Sequence, residues 1–187
     1  MKVVVGVSNR HVHVTKNVWD KLFGDKEIEV RNFLNQPGQF ASTSTVDIKI
    51  DNLCLDHLRV VGPFRGYNQV EISASDAKIL GVKPPRRQSG DLEGSLPVRL
   101  SGPNGEVSLE LGLILAEAHI HMSNEMARDL KLNNNDEVWI MKNGNKLFKA
   151  KIKTSDNAYF ELHIDKDEEG LYDLHTGDFV EFEVCDK

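Results

Sequence analysis

The sequence predicts an α+β or mainly β chain of small barrels with a few short helices. Three observations lead there. Short β-branched and alternating runs recur along the whole chain, separated by Gly, Pro and Asn turn signals. The helix signals are few and short, and the three of them are capped alike. No strand alternates with a long helix, as a parallel βαβ sheet would require.

Taken in order, residues 2–8 form an apolar β-branched run and read as a buried strand. Arg10-His11-Val12-His13-Val14 continues with alternation. Thr15 is suited to cap a helix from Lys16 to Phe23, with Val18, Trp19 and Leu22 as its apolar stripe and Gly24 as its stop. Residues 27–34 read as a strand and Gln36-Pro37-Gly38-Gln39 as a turn. From Phe40 to Val61 the pattern is of strands, then Gly62-Pro63-Phe64-Arg65-Gly66 forms a loop and residues 69–73 a strand edge. Ser75 is the expected cap of a helix from Asp76 to Leu80, followed by a basic irregular loop over 84–91. Strands over 98–100 and 107–111 flank a Pro/Asn-Gly turn. An apolar run from Gly112 leads into Ala118-His119-Ile120-His121, and Ser123 caps a helix from Asn124 to Leu132, with Met126, Leu130 and Leu132 toward the core. Asn143-Gly144 marks a hairpin, 158–165 a strand, and Phe179 to Val184 the last strand.

The composition bounds the function. At 187 residues the chain is one domain or two small ones. A net charge of −6 argues against a nucleic-acid partner, because phosphate neutralisation needs an excess of Lys and Arg. No apolar run reaches the roughly 18–20 residues of a membrane span, and residues 1–8 turn polar too soon for a signal peptide, so the expectation is a cytoplasmic protein with no membrane partner. Cys54 and Cys185 form no C-x-x-C pattern and suit a reducing compartment; Cys54, between Leu53 and Leu55, reads as an inert buried thiol. No Walker A loop, G-x-G-x-x-G or G-x-S-x-G elbow is present.

The histidines carry the chemistry. His11-Val12-His13 and His119-Ile120-His121 are each followed by x-Ser/Thr and a helix-like run, a degenerate internal repeat implying two related halves. On a strand, alternate residues share a face, so both imidazoles of a pair reach one point, and neutral imidazole is the commonest ligand for a mid-row metal. His163, in Glu161-Leu162-His163-Ile164-Asp165, is a fifth candidate, and five exceed what one tetrahedral zinc takes, so two metal positions are indicated. The competing reading has the Val and Ile residues packed inward and the histidines in water. His57 and His175 are read as ordinary surface or satisfied residues. Arg65, in its tight loop, is suited to fork onto a phosphate or carboxylate, and Glu71 is a further possible ligand; both also fit simple exposure. Arg86, Arg87 and Ser89 would suit a polyphosphate or a solvated linker equally. From the residues alone, a metal-assisted reaction on an anionic substrate remains.

The ordered set Val5-Gly6-Val7-Ser8-Asn9-Arg10-His11-Val12-His13, Gln36-Pro37-Gly38-Gln39-Phe40-Ala41, Gly62-Pro63-Phe64-Arg65, Gln69-Val70-Glu71-Ile72-Ser73, Ser89-Gly90-Asp91-Leu92-Glu93-Gly94-Ser95 and His119-Ile120-His121-Met122-Ser123 resembles the PduL-type phosphate acyltransferases. These are the phosphotransacylases of propanediol-utilising microcompartments and their cytoplasmic relatives, and the resemblance covers nearly the whole chain. It implies a mainly β (α+β) fold of two small β-barrel domains flanked by short α-helices with the active site between them, residues 1–9 with 118–187 forming one domain and 10–117 the other. It implies reversible transfer of a short acyl group, propanoyl or acetyl, between coenzyme A and inorganic phosphate to give acyl phosphate. It further implies two divalent cations, zinc, with His11, His13 and Glu71 holding one near the CoA sulfur and His119, His121 and His163 the other. Arg65 would bind phosphate, and Arg86, Arg87 and Ser89 would be CoA contacts. A homodimer is the commonest oligomer and is the expectation here. Microcompartment members carry an amphipathic N-terminal helix; this sequence starts at the first strand, which points to the cytoplasm, or to the microcompartment lumen for a trimmed N-terminus. Ser42-Thr43-Ser44-Thr45 departs from the acidic stretch expected there. Two other readings stay open: a dinuclear-metal hydrolase of thioesters or phosphoesters, and a non-enzymatic module stapled by zinc.

Overall fold

The structure, a computed structural model, describes residues 1–185. In chain order its elements are β1 (Lys2–Ser8), β2 (His11–His13), α1 (Lys16–Phe23), β3 (Val30–Phe33), β4 (Phe40–Ile50), β5 (Leu53–Gly62), β6 (Gln69–Ile72) and α2 (Ala74–Ile79). There follow β7 (Arg86–Arg87), β8 (Leu96–Gly102), β9 (Gly105–Ala116), β10 (His119–Ser123) and α3 (Asn124–Asp129). The chain ends with β11 (Glu137–Lys142), β12 (Asn145–Ser155), β13 (Glu161–Asp165), α4 (Lys166–Tyr172) and β14 (Phe179–Val184). The fold is mainly β, as expected, and divides into two compact units, Met1–Asn9 with Glu117–Lys187 and Arg10–Ala116.

The first unit is a closed barrel in the order β1-β13-β10-β12-β11-β14. Strand β1 closes it, pairing in parallel with β13 and antiparallel with β14. Alternation fills its interior: Val3 and Val5 of β1, Ile120 and Met122 of β10, Ile152 of β12 and Leu162 and Ile164 of β13 are all buried. The intervening histidines therefore point to the outer face.

The second unit is an eight-stranded sheet in which β4, β5, β2, β6, β9 and β8 pair in a ring, with β3 on β4 and β7 on β9. Its core is Val12, Trp19, Leu22, Ile48, Leu58, Val60, Val70, Ile72, Leu100 and Leu113. Trp19 is wholly buried, donates from Nε1 to the Lys26 carbonyl at 2.6 Å, and stacks its ring on Phe23. Thr15 caps α1 by accepting from Val18 N–H, and Gly24 closes it with φ 65°.

Four sequence expectations need correcting. Helix α2 is capped by Ser73, not Ser75: Ser73 Oγ accepts from Asp76 N–H while the Asp76 carboxylate accepts from Ser73 N–H, a reciprocal capping box. Removing it in Ser73→Ala is expected to destabilise the protein by about 1 kcal/mol, read as a lowered denaturation midpoint. Helix α3 ends at Asp129, with Leu130 as its C-cap. A fourth helix, α4, is present that apolar periodicity does not reveal, because it buries none of its residues. Cys54 is exposed, since strand alternation turns it away from buried Leu55; the Asp56 carboxylate beside it pushes its thiol up, so it is still a poor nucleophile.

Candidate metal centres and phosphate site

In the second unit, β2 lies between β5 and β6, with His11 in register with Glu71 and His13 with Gln69. Val12 points into the core, so His11, His13 and Glu71 share the other face. His11 Nε2 and His13 Nε2 lie 3.2 Å apart. Glu71 Oε2 is 3.7 Å from His11 Nε2, and Glu71 Oε1 is 3.7 Å from His13 Nε2. His13 Nδ1 faces the Val61 carbonyl at 3.1 Å, and only an N–H satisfies a carbonyl there. That fixes the proton on Nδ1 and leaves Nε2 bare toward the cluster.

In the first unit, His119 of β10 stands opposite His163 of β13. His119 Nε2 and His121 Nε2 are 3.1 Å apart, and the His163 ring centroid lies 4.6 Å from that of His121. His119 Nδ1–H donates to the Glu117 carbonyl at 2.7 Å, again leaving Nε2 bare. His163 Nε2 meets the Glu161 carboxylate at 2.8 Å. Sequence reasoning passes over Glu161, although the alternation that pairs the histidines is the signal that finds it.

These donor sets suit divalent cations. A tetrahedral zinc with nitrogen bonds of about 2.0–2.1 Å sets its ligands about 3.3 Å apart, close to both Nε2–Nε2 separations. In each triad one ligating atom per residue lies within 4.8 Å of the others. Three of these histidines, His13, His119 and His121, are also held neutral. Burial first, then the His11 and Arg65 charges, brings His13 down to about 3. Burial, followed by His163 and Lys153, lowers His121 to about 2 and, with His121 added, holds His119 well below the ordinary value. Lys153 stands in register with His121 on β12.

These depressed values set a pH dependence. Between pH about 6.5 and about 3 the unfolded chain binds a proton at His13 that the folded chain excludes, so stability rises with pH through that window. The metal-free protein is expected to lose stability on acidification below about pH 6.5, and His13→Gln to flatten that loss, as measured by urea denaturation across pH.

Arg65 follows the Gly62-Pro63 turn. Gly62 is required there because a Cβ would fall 2.3 Å from the Phe40 ring. The Arg65 N–H donates to the Val14 carbonyl at 2.9 Å, tying the loop to the end of β2. The guanidinium is near enough to His13 to help hold that imidazole neutral, and its Nε is buried without a protein acceptor. A cation with an unused donor beside an imidazole–carboxylate cluster is suited to an oxyanion.

Arg87 is engaged by its own loop: Nε donates to the Glu93 carbonyl at 3.0 Å and pairs with Asp91 at 3.3 Å. Arg86 donates to the Ala116 carbonyl, and Ser89 Oγ lies 3.3 Å from the Tyr67 hydroxyl. The surface reading of His57 and His175 stands, their side chains being 85% and 63% exposed. Among the described residues no helix is long and apolar enough to cross a membrane.

Comparison with known proteins identifies the family. A model of the phosphate propanoyltransferase family matches residues 4–175. The chain is 38% identical to a phosphate propanoyltransferase of Rhodopseudomonas palustris (strain BisB18), over 100% of this chain and 83% of the relative. It is 40% identical to one of Thermotoga maritima, over 95% and 87%, and 38% identical to one of Salmonella typhimurium, over 89% and 81%. With the family match spanning nearly all of the described chain, the protein belongs to the phosphate propanoyltransferase family of acyltransferases.

Proposed function

We propose that the chain catalyses reversible transfer of a short acyl group, propanoyl or acetyl, between coenzyme A and inorganic phosphate, giving acyl phosphate. The observation that carries this reading is the pair of largely buried triads, His11/His13/Glu71 and His119/His121/His163, with Arg65 beside the first. Each triad would hold one divalent cation, zinc by its donor set. Such cations stabilise a thiolate leaving group and polarise an acyl carbonyl when bound.

The chain's own residues do the rest. Arg65 orients the phosphate and offsets its charge as an oxygen attacks the acyl carbon. The C–S bond of the thioester breaks as the C–O bond of the acyl phosphate forms, and the thiolate departs as coenzyme A. Transfer is direct in this reading: Cys54 is disfavoured as a thiolate, and neither triad contains a cysteine. Arg86 and Ser89 are proposed as coenzyme A contacts; Arg87, with its loop partners, would have to exchange them to join in.

The test is thiol release from propanoyl-CoA, with and without inorganic phosphate, before and after chelation. Release that needs phosphate, stops on chelation and returns with zinc is expected. Release without phosphate would indicate a hydrolase instead. Accumulation of a labelled acyl-protein with acyl-CoA alone would overturn direct transfer.

A further inference from the structure

Glu161 lies on β13 two residues before His163, and both side chains point away from the core residues Leu162 and Ile164. It stands opposite His121 in the antiparallel register with β10. It is 4% exposed, an unusual place for a carboxylate, and its Oε2 lies 2.8 Å from His163 Nε2.

The neighbouring strand is shaped around it. Gly6 of β1 does not have positive φ, so its backbone alone does not call for glycine. Space does: a Cβ at Gly6 would stand 2.7 Å from Glu161 Oε1 and 2.8 Å from its Cδ. Any side chain at residue 6 would have to push the carboxylate aside.

We propose that Glu161 is the positioning residue of the His119/His121/His163 triad, and that residue 6 is glycine to seat its carboxylate. An ionised carboxylate only accepts, so the His163 nitrogen facing it carries the proton and the other ring nitrogen is bare for a cation. His13 and His119 have the same arrangement with backbone carbonyls, Val61 and Glu117. Glu161 does it with a buried carboxylate in place of a backbone carbonyl, on the face that also carries Lys153. The inference rests on the reading that this triad holds a divalent cation.

The test is zinc affinity and the cobalt absorption spectrum in a His13→Ala background, where the second triad is the remaining site. Glu161→Ala and Gly6→Ala are each expected to weaken zinc binding about 10–100-fold and to shift the cobalt bands, with the far-ultraviolet dichroism unchanged. Glu161→Gln, which keeps an acceptor oxygen but no charge, is expected to lose less. Unchanged affinity in Glu161→Ala overturns the proposal. So does an equal loss in Glu161→Gln and Glu161→Ala with a lower cobalt coordination number, which would make the carboxylate a ligand. If the His13→Ala parent binds no zinc, the triad itself has been misread and the proposal falls with it.

Discussion

His121→Ala is expected to empty one of the two cation sites and lower phosphate-dependent thiol release by about 10³-fold or more. His121 is buried, neutral and 3.1 Å from His119 Nε2, so the substitution takes away one of three nitrogens without disturbing Ile120 and Met122 on the core face. Two imidazoles hold zinc far less well than three, and a Lewis acid of this kind is worth several kcal/mol in the transition state, or about three powers of ten in rate. Metal content per chain should fall from two equivalents to one, while the first triad keeps its cation. His57→Ala is the control: its ring is 85% exposed, and neither quantity should move. A His121→Ala protein with one equivalent and full activity would remove the second triad from the chemistry.

The site was legible in the sequence where the period of two carries the information. In Val-His and Ile-His alternation the apolar partners must face the core, so the histidines face one another's neighbourhood whatever the strand pairs with. Which strand supplies the third residue of each triad is a different kind of fact. Glu71 meets His11 because β2 inserts beside β6, and His163 meets His119 because β13 lies between β1 and β10. No local pattern encodes those pairings; the same groupings are what the resemblance to a known family implies. Other errors have local causes. Ser73-Ala74-Ser75-Asp76 offers two caps, and the reciprocal bond with Asp76 selects the earlier serine. Helix α4 has no buried stripe, yet Asp165 and Glu168 form a capping box that marks its start. The apolar neighbours of Cys54 suggest burial, but on a strand those neighbours point the other way.

Arg65→Ala is expected to lower kcat/KM for phosphate by about 10²–10³-fold, with most of the loss in the phosphate dependence and little change in KM for propanoyl-CoA. The Arg65 backbone is tied to the Val14 carbonyl, so the side chain starts from a fixed point in the loop. Its Nε is already desolvated without a protein acceptor. That is costly in the empty protein and is repaid only when an oxyanion arrives, which is the arrangement that favours a transition state over water. Arg65→Lys should fall between, since an ammonium keeps the charge but cannot present two parallel donors to one phosphate. A second readout separates this role from simple packing. The Arg65 charge helps hold His13 neutral, so in the metal-free Arg65→Ala protein the His13 ring should titrate at higher pH than in the parent, followed by its imidazole proton resonances. Loss of phosphate dependence with His13 unmoved would mean that the arginine acts away from the first triad; His13 moved with phosphate kinetics intact would leave Arg65 as an electrostatic neighbour of the triad and not the phosphate's partner.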